Sequence, residues 1–303
     1  MKMTQNIFEN DTVYYINRLN DVYFKYLLGT ENRKDLTLNF INSILKRTED
    51  NRFIDIEFTN TNLTAEMENE KVPIVDILAK TNTSDFINIE VQVAKQSFFT
   101  KRTLYYWARL YGRQLNSGRH YRKLKKTIMI NLVNFNCIDN EFYHNSYHVK
   151  NDKTNENLLD DLELHFIELK KFKFGDIRKL RQDENWIAYF SPNCTEEERK
   201  LIAMNNSVIQ KALNAEMIFA KDEEQFAQYE HSEKVLRDYY ASIEDNRQEA
   251  KQEGIQIGMQ QGIQQANIQN AINFLRLGID VEKVAEGTNL SIEKVKELQQ
   301  SLK

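Results

Sequence analysis

The stretch Asn88-Ile89-Glu90-Val91-Gln92-Val93 alternates polar and apolar at every step, the two-residue period of a β-strand with one face turned to a core. Shorter runs, "RFIDIEF" (52–58) and "PIVDILAK" (73–80), share that character, and "KTIMINLVNF" (126–135) is almost unbroken apolar, the pattern of a strand covered on both faces. "EFYHNSYHV" (141–149) and "LHFIELKKF" (164–172) predict two more strands. Three-to-four-residue spacing predicts helices over 21–47, interrupted by Gly29 and the polar Thr30-Glu31-Asn32, over 97–118 with Gly118 as a stop, and over 176–220. A helical start, a mixed sheet and a crossover helix place the chain in the α/β or α+β class.

The polar link Thr81-Asn82-Thr83-Ser84-Asp85 between the runs 73–80 and 86–93 suits a hairpin turn. If the turn is symmetric about Thr83, Asp76 lies opposite Glu90 and Ile74 opposite Gln92. Alternation then sets Asp76, Glu90 and Gln92 on one polar face. Val75, Ile77, Ala79, Ile87, Ile89, Val91 and Val93 share the other, apolar face. Two carboxylates opposed across a ladder repel by about 4 kcal/mol near 4 Å at an effective dielectric of 20. A hard divalent cation such as Mg²⁺, held by one or two carboxylates and completed by water and phosphate, offsets that repulsion. The plainer alternative is a solvated Asp/Glu face softened by nearby arginines, and a one-residue shift of the turn would break the pairing.

Charge distribution changes the picture more than net charge does. The 303 residues carry a net −4, ordinary for a soluble globular chain. Yet no acid occurs between Glu90 and Asp139, while that interval holds ten cations: Lys95, Lys101, Arg102, Arg109, Arg113, Arg119, Arg122, Lys123, Lys125 and Lys126. The rest of the chain therefore carries −14. Either nucleic-acid phosphate or acidic helices elsewhere in the fold would offset such a block. A metal flanked by cations is the logic of phosphodiester hydrolysis.

The remaining composition excludes other classes. Cys137 and Cys194 lie far apart without redox or metal spacing, which suits a reducing compartment. His144 and His148 sit in a strand-like setting without a further ligand cluster, which argues against zinc. The N-terminus lacks an apolar signal core and no run reaches membrane-spanning length, so a cytoplasmic protein without membrane contact is expected. Paired-carboxylate glycoside hydrolysis lacks an aromatic sugar platform and leaves the cationic block unexplained.

The order "NDVYFKYLLG" (20–29), "VPIVDILAK" (72–80), "INIEVQV" (87–93), "FFTKRTLYYWARLYGRQLNSGRHY" (98–121) and "KTIMINLVNF" (126–135) resembles the recombination-promoting nucleases, transposase-like proteins of the PD-(D/E)XK superfamily, over roughly residues 15–225. The resemblance implies a restriction-endonuclease-like α/β core, a mixed sheet flanked by helices, followed here by an all-helical C-terminal tail. It implies a DNA endonuclease using Mg²⁺ or Mn²⁺, with no small-molecule cofactor beyond the metal, linked to recombination or mobile elements. The superfamily's acid maps onto Asp76 and its E-x-K element onto Glu90-Val91-Gln92, with Asp76 and Glu90 as metal ligands. Lys95, Lys101, Arg102, Tyr106, Arg109, Arg113 and Arg119 would meet DNA. Two departures stand out: Pro73 is three residues before Asp76, with Val75 intervening, and Gln92 replaces the superfamily lysine, as is usual in this nuclease family. Glutamine cannot serve as a base near neutral pH. The competing reading is a nuclease-derived scaffold that binds nucleic acid or assembles without cutting.

By this reading the nuclease-like domain spans 1–225, a helical connector 226–268 and a small helical unit 269–303. The connector holds Gly254, Gly258 and Gly262 in one row, with Ile255, Met259 and Ile263 beside them. Each helical glycine costs about 1 kcal/mol against alanine. Packing on the chain's own core or on a second copy, as in a homodimer, would offset the cost; a flexible connector is the alternative. The last unit, broken at Gly278 and at Gly287-Thr288-Asn289, is similar in layout to a helix-turn-helix, but its last helix balances Glu293 and Glu297 against Lys294 and Lys296. That balance favours an accessory or dimerisation role over a sequence reader.

Overall fold

The structure, a computed structural model, describes residues 15–61, 75–115 and 120–302. Its chain separates into two compact units, dividing between Glu233 and Lys234.

The first unit opens on α1 (Asp21–Leu28), whose N-cap Asn20 accepts from the N–H groups of Val22 and Tyr23. The side-chain oxygen meets two donors that the first turn leaves unpaired. Gly29 ends the helix as expected. A Cβ there would sit 2.7 Å from the Lys25 carbonyl oxygen and 3.4 Å from Ile77 Cγ1, so only glycine lets α1 end this close to the sheet. After a single 3-10 turn, α2 (Lys34–Ile44) buries Leu36, Phe40, Ile41 and Ile44.

Strands β1 (Ile56–Phe58), β2 (Ile77–Thr81), β3 (Phe86–Gln92), β4 (Thr127–Val133), β5 (His144–Tyr147) and β6 (Leu162–Glu168) form one mixed sheet in the order β1-β2-β3-β4-β6-β5. The pairs β1/β2, β2/β3 and β5/β6 run antiparallel, whereas β3/β4 and β4/β6 run parallel. Parallel neighbours need a long crossover. Helix α3 (Phe99–Gly112) provides it between β3 and β4. Every residue of β4 is buried, as its continuous apolar run predicts.

The two faces of the sheet bury separate cores. On one side, α1, α2, α4 (Gln182–Phe190), α5 (Glu196–Asn205) and α6 (Ser207–Lys221) pack Phe24, Phe40, Trp186 and Phe190 over Ile77, Ile87, Ile89, Ile128 and Ile130. On the other, α3 presses Phe99 and Leu110 onto Leu78, Met129, Leu164 and Phe166. Truncating one of the large aromatics would cost about 3–5 kcal/mol.

One sequence expectation is corrected here and one alternative falls. Val75 belongs to the α3-side core with Leu78, not to the Ile77 face, because the chain bends at Asp76 before the ladder starts. The polar face of β3 is not solvated either: α3 covers it, and Glu90 keeps only 7% of its surface exposed. A two-residue period reports which residues share a face; it does not report whether water or a helix covers that face.

The second unit continues α7 (Glu223–Arg276) and adds α8 (Val281–Thr288) and α9 (Ile292–Ser301). Gly278 takes φ +79 just after α7. The expected break at Gly287-Thr288-Asn289 is there: α8 ends at Thr288, and Asn289, in the left-handed region, is the stop. Ala271, Val284, Ala285 and Val295 form a small core. Among the described residues nothing lies within 4 Å of a Cβ built on Gly254, Gly258 or Gly262. No helix of the described residues is long and apolar enough to cross a membrane.

Candidate active site

The β2–β3 ladder pairs Ile77 with Ile89, Leu78 with Asn88 and Ala79 with Ile87, the register that symmetry about Thr83 predicts. Ser84 at φ 68 and a Thr81 N–H bond to the Asp85 carbonyl at 2.9 Å close the turn. Asp76 and Glu90 occupy the next step, beyond the last ladder pair. There side chains take over the pairing. The Asp76 N–H donates to Glu90 Oε1 at 3.2 Å, and the Val91 N–H donates to Asp76 Oδ2 at 3.0 Å. Each carboxylate thus fastens the strand that carries the other.

Burial makes this costly, because a carboxylate removed from water favours its neutral form. The Glu90 carboxyl is pushed up to about 8, first by burial and then by the charge of Asp76. Asn88 Nδ2, donating to Glu90 Oε1 at 3.1 Å, opposes the shift only partly. Asp76 is raised too, chiefly by burial, against the Lys25 ammonium 3.2 Å away. Lys25 also lies 3.9 Å from Asp21, whose Oδ1 accepts from Ser232 at 2.8 Å. An N-terminal acid therefore stands beside the pair, joined to it through a lysine that the sequence reading missed. The available signal was that Asp21 and Lys25, one turn apart, are the charged residues of an otherwise apolar helix.

Gln92 ends β3, and its Oε1 accepts from Arg102 at 2.9 Å. Arg102 also donates to Gln96 and lies over the rings of Phe99 and Tyr106 at 4.9 and 5.7 Å. Because its oxygen faces a guanidinium, Gln92 presents its amide NH₂ as the remaining donor. Beneath α3, Asn131 donates to the His165 carbonyl at 2.9 Å and accepts from Thr103 at 3.3 Å. Asn88 Oδ1 is buried beside Glu90 without a hydrogen-bond partner.

The cationic expectations divide. Arg102 and Tyr106 come to the carboxylates, and both acids help raise the Tyr106 hydroxyl. Arg109 is half-buried on the same helix, whereas Lys95, Lys101 and Arg113 are exposed. Arg119 lies outside the described residues.

The donor set suits a hard divalent ion. Asp76 and Glu90 offer oxygens only, and both carboxyls are raised chiefly by burial, Glu90 also by the charge of Asp76. No group of three or more His, Cys, Asp or Glu side chains builds a metal cage among the described residues. Mg²⁺ does not need one, since it is commonly bound by one or two carboxylates with water and phosphate.

The mixed sheet flanked by helices is consistent with a nuclease-like α/β fold. The model of the PD-(D/E)XK nuclease family transposases matches residues 18–246, and the chain belongs to that family. No curated protein and no solved structure matches it.

Proposed function

We propose that the protein is a divalent-metal-dependent DNA endonuclease in which Asp76 and Glu90 hold the ion and Gln92 completes the catalytic set. The observation carrying this reading is the reciprocal clamp, which keeps two acidic side chains together in a buried setting that disfavours their charge. Selection for stability alone would favour apolar residues there. A bound Mg²⁺ or Mn²⁺ would supply a nucleophilic water at neutral pH and stabilise charge on the reacting phosphate.

The protein's own groups do the remaining work. Arg102 fixes the Gln92 amide so that its NH₂ can position water or a phosphate oxygen. Lys25, 3.2 Å from Asp76, partly offsets the burial that favours its neutral form. The exposed Lys95, Lys101 and Arg113, with the Arg102–Tyr106 face of α3, follow a DNA backbone, whose phosphates cations bind without regard to sequence. In this reading the protein is cytoplasmic and acts in recombination or mobile-element traffic.

A homodimer would let two sites address two antiparallel strands. Support comes from Ile255, Met259 and Ile263, exposed by 60%, 68% and 55% along α7 beside the glycine row. Light scattering at high concentration tests it, and a monomer counts against it.

Nicking of supercoiled plasmid is the test of chemistry. Cutting with Mg²⁺ and none with chelator is expected, and Asp76→Ala or Glu90→Ala should abolish cutting while DNA binding persists. If both variants cut like the parent, the site is elsewhere. DNA binding without any cutting by the parent would favour a scaffold.

A further inference from the structure

A second polar site lies on the opposite face of the sheet from Glu90. Where α2 ends and α4 begins, a cavity of about 420 Å³ is lined by Lys46, Arg47, Arg52 and Arg181, with Asp183 as its one carboxylate. That volume falls in the range of small-molecule pockets. The charge balance asks for an anion. Arg181 is already engaged by Asp183, by Glu184 at 2.9 Å and by the Tyr143 hydroxyl at 2.7 Å. Arg47 lies over the Phe53 ring at 4.2 Å and donates to the Asn51 carbonyl. Both guanidinium groups are held by these partners although Arg181 is exposed, and both keep donors in reserve.

Lys46 carries the sharper observation. It adopts φ 51, in the left-handed region, while the Arg47 N–H closes on the Asn42 carbonyl at 2.9 Å. This is the residue after a helix where glycine is the least strained choice. Here the chain instead places a lysine, with its ammonium 3.8 Å from Asp183. Backbone strain retained for one side chain points toward a use for that side chain. Asn39, on the cavity wall, accepts from Trp186 at 2.9 Å with its oxygen, which commits its NH₂ to donation.

We infer that this cavity binds a phosphomonoester of mononucleotide size, with Lys46, Arg47 and Arg52 on the phosphate and the amide wall around the rest. The site shares no residue with the proposed nuclease centre, so either reading can fail without the other. The shared chemistry has two sources, a free nucleotide or the 5′-phosphorylated end of a strand.

The test uses the full chain in chelator, titrated by calorimetry with 5′-AMP and with adenosine. Saturable binding of 5′-AMP and none of adenosine is expected. Equal binding of both, or no saturable 5′-AMP binding at about 10 mM, overturns the proposal. Lys46→Gly should weaken 5′-AMP about ten-fold, the loss of one charge-assisted contact, with an unchanged or higher Tm because the strain is relieved. Arg52→Gln, on exposed backbone, should weaken it similarly, and parental affinity in both variants also overturns the site. Displacement of 5′-AMP by a 5′-phosphorylated trinucleotide but not its 5′-hydroxyl form assigns the site to strand ends. Displacement by neither assigns it to free nucleotides.

Discussion

Glu90 on β3 and Glu163 on β6 are both buried glutamates of the same sheet, 7% and 8% exposed, yet their surroundings push them in opposite directions. Glu163 pairs with Lys126 and accepts from His165 Nε2 at 2.8 Å, and these partners outweigh burial to hold its carboxyl down at about 2. Glu90 receives an amide and a backbone N–H, faces another acid, and is held up at about 8. One carboxylate has been given its cation by the fold. The other is raised by burial and by its acidic neighbour, and under the proposed function a bound divalent ion would be its cation.

That contrast is broken most forcefully by conservative substitution. Glu90→Gln or Asp76→Asn keeps shape and removes charge, so cutting should fall by about a thousand-fold, at the upper end of losses for one electrostatic group, while chelator-treated protein unfolds at the same or a higher denaturant midpoint. Glu163→Ala should do the reverse. It strands Lys126 and His165 in a buried setting and should cost about 3 kcal/mol in urea unfolding, with the nuclease site intact.

The pH dependence of stability sharpens the same difference. Glu163 titrates lower folded than unfolded, so its contribution is complete above about 4.5 and is lost as pH falls toward about 2. His144, 2.9 Å from His165, is depressed to about 4 by burial, by His165 and by Lys46. Its neutral form is the folded one, so stability also drains as pH falls from about 6.5 to about 4. Glu90 has the opposite sign. In chelator it removes stability as pH rises from about 4.5 to about 8. Midpoints measured across pH should lose the acid-side slope in Glu163→Gln and the alkaline-side slope in Glu90→Gln; unchanged slopes would dissolve the contrast.

Smaller effects are expected around the rim. Arg102→Lys cannot span Gln92 and Gln96 with a planar fork, so cutting should drop about ten-fold. Gln92→Lys should leave cutting near the parental rate if the amide only positions, as plasmid assays can show.

Much of the hairpin was legible because period-two alternation and one polar turn fix a register, and Ile77–Ile89 pairs as the symmetry of that turn requires. The Gly29 break and the doubly buried β4 followed from local chemistry too. Lys25 was not legible as a neighbour of Asp76, since α1 and β2 meet only through tertiary packing and nothing in either segment names the other. The shielding of Glu90 by α3 was hidden for a similar reason: the helix was visible, but the face it covers is decided by Phe99 and Leu110 finding Leu78 and Met129. The Glu163–His165–His144 chain joins two strands whose pairing order, β6 between β4 and β5, no local pattern encodes.

A Cβ on Gly29 would meet both the Lys25 carbonyl and Ile77, the residue next to Asp76. A single methyl group at that position would act as a wedge, prising the lysine and the aspartate apart without altering either. A position with no functional group to lose thus bears on this centre, and a screen confined to polar side chains would pass over it.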